Sequence, residues 1–269
     1  MSRHSSGWLI CACLLIGASA LAQDQSGGPV TSRLKELDDK GALFRATVNQ
    51  PPAAADVNKG RLIAMGGTPQ GADGMACFRC HGTSGAGDGA ASFPRLAQLP
   101  AWYMSKQLDD YASGTRPSEI MAAIAKRLSV EERAAVSVYY ALAVAPVRLV
   151  ARDEHAASVS QWGGILAISG SAERGIPGCI NCHGADGEGL PPSVPNLASQ
   201  HTGYTAAQLH LWKDGVRKND PMNVMATIAR KMTDADIEAV AAYYARISLE
   251  DATTTKAPAN GASRPRSTP

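Results

Sequence analysis

The chain has 269 residues, 45% hydrophobic and 19% charged, which makes it one large domain or two small ones. A net charge of +2 and a pI of about 8.2 exclude the strongly basic surface that nucleic acid or an anionic membrane would require. Aromatics are only 5% and there are 6 Cys, too few for a disulfide-dense scaffold, so a sizeable core must be filled by something else. In chain order, residues 1–22 read as a secretory signal. Arg3 and His4 are its basic start, Trp8–Ile16 its apolar stretch, and Ala20-Leu21-Ala22 an A-x-A cleavage site. The apolar run falls short of the roughly 20 residues that span a bilayer. An uncleaved anchor fits less well, and so does a lipid on Cys13, because the apolar run continues through Leu14-Leu15-Ile16. The mature protein is expected in an oxidising compartment such as a periplasm, with membrane contact only through partners or an uncleaved signal. Residues 23–55 form an N-terminal extension with a short helix at Leu34–Arg45 and a Pro51-Pro52 break. Residues 250–269 form an Ala/Thr/Pro tail expected to be disordered.

Cys11 and Cys13 leave with the signal, so four cysteines remain, in Cys77-Phe78-Arg79-Cys80-His81 and Cys179-Ile180-Asn181-Cys182-His183. Each segment is C-x-x-C-H, the attachment signature of c-type haem. Two thiols three positions apart lie on one helical turn and reach the two vinyl groups of the haem edge, while the adjacent His supplies the fifth iron ligand. A zinc site would draw four ligands into one cluster, but these motifs lie 179 − 77 = 102 residues apart. A thioredoxin-like motif needs a βαβ context, and no strand pattern surrounds either segment. Two covalently bound c-type haems are expected.

The duplication extends beyond the motifs. Gly60-Arg61-Leu62-Ile63-Ala64 precedes the first and Gly164-Ile165-Leu166-Ala167 the second, and a Gly-rich loop follows each His. Pro94-Arg95-Leu96-Ala97 matches Pro195-Asn196-Leu197-Ala198 at an offset of 101, as Tyr103, Gln107, Leu108 and Gly114 match Tyr204, Gln208, Leu209 and Gly215. Tyr139-Tyr140-Ala141 matches Tyr243-Tyr244-Ala245 at an offset of 104. The fold class is all-α. Trp102–Ser113 has helical apolar spacing with Gly114 as C-cap. Ser129 with Glu132 and Thr233 with Asp236 are N-terminal capping signals, each opening a helix that ends at a Tyr-Tyr pair.

The sixth iron ligand separates a carrier from a catalyst: His alone leaves the iron open, while His with Met closes it and favours the ferrous state. Met121 and Met225 match at offset 104, each about 40 residues after its motif. Met222 stands three residues from Met225 and competes with it if the segment is helical. Met65, Met75, Met104 and Met232 have no matched Met and read as packing. His155, His201 and His210 are also unmatched and read as surface residues. For Pro94 and Pro195 two readings stay open, a backbone carbonyl accepting the proximal His Nδ1–H or simple loop shaping. For Arg116 and Arg217, pairing a haem propionate and an exposed surface role stand level.

Together these residues resemble class I cytochromes c in tandem, most closely the diheme cytochrome c4 family. The resemblance covers roughly residues 56–249 and implies two haem domains, 56–146 and 158–249, joined by a linker at 147–157. It implies that Cys77, Cys80, His81 and Met121 hold one haem, and Cys179, Cys182, His183 and Met225 the other. It further implies that the Pro94 and Pro195 carbonyls contact His81 and His183, and that the haems face each other across the domain interface. The function expected is a periplasmic electron carrier that passes single electrons between redox protein partners, from a dehydrogenase or quinol-oxidising complex to an oxidase or reductase. The extension and tail keep open the alternative of a cytochrome subunit in a dehydrogenase or oxidase complex. A diheme peroxidase would need one open iron, and both halves offer a Met. Diheme thiosulfate dehydrogenases resemble tandem cytochromes too, but use a Cys as axial ligand, and here all four mature cysteines are committed to attachment. No nucleophile–base pattern stands out, and neither half carries a lopsided charge.

Overall fold

The computed structural model describes residues 54–67, 76–145, 157–191 and 193–248. The chain divides into a unit of residues 1–50 and one of residues 51–269, and every described residue belongs to the second. The signal, the Leu34–Arg45 helix, the Pro51-Pro52 break, residues 147–156 of the linker and the tail lie outside the described residues, as do Met75 and His155.

Among the described residues the regular structure is helical, and strand-type pairing is limited to isolated bridges such as Asp88–Phe93 and Leu190–Val194. The first half runs α1 (Ala54–Ala64), α2 (Phe78–His81), α3 (Ala101–Ser113), α4 (Glu119–Arg127) and α5 (Val130–Leu142). The second half repeats the order with α6 (Ala157–Ser169), α7 (Ile180–His183), α8 (Thr202–Lys213), α9 (Val224–Lys231) and α10 (Asp234–Ala245), and adds a 3-10 turn at Pro221–Asn223 before α9. The sequence signals act where expected. Gly114 closes α3 in the left-handed conformation, which a residue without Cβ adopts without strain. Ser129 with Glu132 and Thr233 with Asp236 both form reciprocal capping boxes, so each helix start has its free N–H groups satisfied.

The packing repeats as well. α1 lies on α5 as α6 lies on α10, and α3 contacts α4 as α8 contacts α9. Glycine sets the closeness of the first of these crossings. A Cβ on Gly60 would stand 2.1 Å from the Ala135 carbonyl oxygen, and one on Gly163 would stand 1.9 Å from that of Ala239. Helix backbones touch at these two points, so the structural partner of Gly60 is Gly163 rather than Gly164. The cores are mostly aliphatic. Ile63, Leu99, Met104, Leu128, Val136 and Tyr140 fill the first. Leu166, Ile176, Leu209, Met232, Ile237 and Val240 fill the second. Met104 and Met232 are packing residues, as expected, and Met65 lies against the first core.

Candidate haem sites and the seam between the halves

Each C-x-x-C-H segment forms a single helical turn. His81 N and His183 N both donate at 2.9 Å, to the Cys77 and Cys179 carbonyls, which stacks each His over the first Cys of its motif. None of the four cysteines is paired in a disulfide, which leaves all four sulfurs for haem attachment. Both histidines are buried, and desolvation holds them below the ordinary imidazole range. A neutral ring keeps one nitrogen lone pair for a metal.

The other nitrogen is fixed. His81 Nδ1–H donates to the Pro94 carbonyl and His183 Nδ1–H to the Pro195 carbonyl, both at 2.9 Å. Of the two readings left open for these prolines, carbonyl contact is what the structure contains. The Gly-rich loops make it geometrically accessible. Gly87 N donates to the His81 carbonyl and Gly189 N to that of His183. Leu96 and Leu197 donate back to Gly85 and Gly187. Gly85 and Gly187 face Tyr140 and Tyr244, where a Cβ would come within 2.8 and 2.6 Å of the ring carbons. The Tyr-Tyr pairs thus brace the loops, and the carbonyls of Tyr140 and Tyr244 accept Gln98 N and Ser199 N at 3.1 Å.

In the second half these residues line a cleft. Cys179, Cys182, His183 and Pro195 form one part of its wall, and Leu209, Trp212, Met225, Ile228, Met232 and Val240 another. Met225 lines it from the first turn of α9. Met222 does not: it sits in the 3-10 turn at φ 56°, 89% exposed, so the helical condition for its competition is not met. Met121 holds the matched place in α4, half-buried, its N–H donating to Ser118 Oγ at 3.2 Å.

The wall fits a large apolar ring carrying anionic substituents. It is mainly aliphatic and aromatic, yet the donors Trp212 Nε1 and Thr205 Oγ1 are buried on it without a hydrogen-bond partner, and Arg217 lines it too. Buried polar atoms of this kind normally have partners. A haem, with its flat macrocycle and two propionates, supplies both kinds of surface. Tyr140 Oη is likewise buried without a partner in the first half.

Arg116 and Arg217 are 4% and 3% exposed, which overturns the surface reading for both. They meet at the seam between the halves. Arg116 donates to Gln107 of its own half at 2.9 Å, and across the seam to Tyr204 Oη at 2.9 Å and Gln208 at 2.6 Å. Arg217 mirrors it, donating to Gln208 of its own half at 2.8 Å and across to Gln107 at 2.9 Å. Each guanidinium also lies over an aromatic ring, Arg116 over Tyr111 and Arg217 over Trp212. Burial works against ionisation of Tyr204, and the two arginine charges outweigh it, holding this hydroxyl below its ordinary range. Gln107, Gln208, Tyr103 and Tyr204 appear in the sequence only as matched repeat residues, and their recurrence at one offset was the signal that they share a role. His201 is not a plain surface residue either: its Nε2–H donates to the Ala86 carbonyl of the first half at 2.9 Å. His210 is half-buried, near Asp234 and Glu238.

Tandem helical domains with paired C-x-x-C-H turns and carbonyl-fixed histidines define a diheme c-type cytochrome. The cytochrome c family model matches residues 70–139 and 177–247, and the chain belongs to that family. It is similar to a thiosulfate dehydrogenase electron acceptor of Stutzerimonas stutzeri, 44% identical over 74% of this chain and 89% of the relative. Among solved structures, cytochrome c4 from Pseudomonas stutzeri superposes with a TM-score of 0.62 at 27% identity, covering 74% of this chain and all of that one. A thiosulfate dehydrogenase (TsdBA) from Marichromatium purpuratum gives 0.65 at 34% identity over 72% of this chain, and this chain spans only 40% of its length. The protein thus resembles cytochrome c4, carries two covalent c-type haems and is an electron carrier. No helix among the described residues is long and apolar enough to cross a membrane.

Proposed function

We propose that this protein accepts single electrons from a dehydrogenase outside the cytoplasm and passes them between its two haems to a further redox protein. The observation that carries the reading is the second cleft, where Cys179, Cys182, His183 and Met225 share one apolar wall system with Arg217. In this reading His81 with Met121 would hold one iron and His183 with Met225 the other, and the cysteines would anchor the haems covalently. Bound haem supplies the one-electron couple. The chain's own residues do the rest: they hold the imidazoles neutral and oriented, and the apolar wall with Arg217 on it would exclude water and receive an anionic propionate. With a His and a Met both given to each iron, the group would be suited to electron transfer rather than substrate chemistry.

The electron acceptor name of the Stutzerimonas relative makes a thiosulfate-oxidising dehydrogenase the donor favoured here. The longer Marichromatium chain, of which this one matches a part, supports a second reading in which the cytochrome stays bound to such an enzyme as its subunit. Mixing the oxidised holoprotein with a purified thiosulfate dehydrogenase and thiosulfate tests both. Rapid reduction of both haems is expected. No reduction by that pair, with full reduction by a quinol-oxidising complex, would assign a different donor. Elution of the two proteins together on gel filtration would favour the subunit. Export with cleavage after Ala22 predicts a mature N-terminus at Gln23, read by N-terminal sequencing.

A further inference from the structure

The two halves do not support each other's proximal loops equally. Pro94, whose carbonyl holds His81, lies between two points gripped from the second half. On one side Arg95 N donates to Gln200 Oε1 at 2.9 Å and Gln200 Nε2 donates back to the Arg95 carbonyl at 3.0 Å. On the other, His201 Nε2 donates to the carbonyl of Ala86, in the loop that follows His81, at 2.9 Å. His201 N donates to the same Gln200 oxygen at 3.0 Å, which fixes the amide's orientation. Gln200 and Arg95 are buried.

The reciprocal grip is absent by residue type. At the repeat offset of 101, Gln200 corresponds to Leu99 and His201 to Pro100. Leu99 packs into the first core and lines the second cleft as an apolar contact. Neither Leu nor Pro has a side-chain group to hydrogen-bond the Pro195-Asn196 segment. Both loops are held by matched bonds within their own half, and the first is held from the other half as well.

We infer that Gln200 and His201 are positioning residues for the first haem, clamping the loop whose Pro94 carbonyl orients His81 and thereby setting that haem's reduction potential apart from the second's. The inference rests on the reading of His81 as an axial ligand. A firm Nδ1–H···O=C bond makes the imidazole a stronger electron donor and favours ferric iron. Loosening the clamp weakens that bond and raises the first potential. The second loop lacks the clamp and does not respond.

The test uses the full-length holoprotein, with both potentials from redox titration and each haem assigned by its hyperfine-shifted NMR signals. His201→Phe removes the donor and keeps a ring of similar size. Gly89→Ala is milder: its Cβ would stand 3.0 Å from His201 Nδ1 and push the ring aside without touching a haem residue. His201→Phe is expected to raise the first haem's potential and shift the electron distribution toward that haem. Gly89→Ala should shift it less in the same direction, and His201→Gln, which keeps a donor, should stay near the parent value. An unchanged first potential, or equal movement of both, overturns the clamp, and Gly89→Ala is decisive alone if His201→Phe yields no folded protein. The ligand assignment is tested separately: His81→Ala should remove one haem's low-spin signal, and its survival would fault the assignment rather than the clamp.

Discussion

The same capping device is a local fixture in the first half and a tertiary tie in the second. Glu132 closes the box at Ser129, with Lys59 a further neighbour at 4.0 Å. Its counterpart Asp236 closes the box at Thr233 and, only 3% exposed, also accepts from Trp162 Nε1 on α6 at 3.0 Å and from the Arg174 guanidinium in the segment that leads to Cys179. One carboxylate thus joins the start of α10 to two other segments of its half. Duplicated sequence fixes the shared helix start, while burial decides how much structure hangs on it.

Substitutions can break or sharpen that contrast. The largest effects are expected at the axial positions, where the halves should behave alike. Met121→Leu and Met225→Leu should each remove half of the long-wavelength ferric band of His/Met ligation, read by absorption of the oxidised protein. Next come the helix crossings. Gly163→Ala and Gly60→Ala force a Cβ against backbone oxygen and should each destabilise by about 3 kcal/mol in denaturant unfolding, at the upper end of overpacking costs.

The capping carboxylates should then separate the halves. Asp236→Asn is expected to cost about 2 kcal/mol, and Glu132→Gln about 0.5 kcal/mol. Burial pushes the Asp236 carboxyl upward, but hydrogen bonds from Arg174, Thr233 and Trp162 outweigh it and hold it well below the usual carboxylate range. A depressed folded-state value contributes stability that is present above the unfolded carboxylate range and lost as pH falls through the folded value. Acid unfolding of the parent should therefore show a steep low-pH loss that Asp236→Asn lacks. The smallest effect is expected at Met222, left-handed beside a left-handed Asn223. Met222→Gly should gain about 0.3 kcal/mol, the relief of that strain less the entropy cost of glycine, and leave the ferric band unchanged.

Much of this was legible in the sequence. The C-x-x-C-H turns, the capping boxes and the Gly114 stop are all written in fewer than ten consecutive residues. The matched Met positions and the Tyr-Tyr braces follow from the repeat. The seam was not legible. Gln107 and Arg217 are 110 positions apart, and a hydrogen bond between them leaves no periodic trace. Arg116 and Arg217 could as well have been solvated, since an arginine's letter does not say whether a glutamine from the other half awaits it. His201 reads as surface for the same reason. Its partner is a backbone carbonyl, which has no sequence signature at all. Met222 shows the opposite case, where spacing alone made a candidate and the segment is left-handed and exposed rather than helical.

The crossed arginines have a consequence in symmetry. Arg116 reaches Gln208 and Tyr204 while Arg217 reaches Gln107, so nearly the same bonds are made twice about an approximate dyad. That is the pattern of a self-complementary, isologous interface. A half carrying Tyr, Gln and Arg at these places holds both members of every pair. Joining two such halves in one chain makes their encounter intramolecular, so the effective concentration is high and individually modest polar contacts suffice. Tethering also removes the need for the copies to stay identical, which is what allows Leu99 and Pro100 to stand on one side of the dyad and Gln200 and His201 on the other.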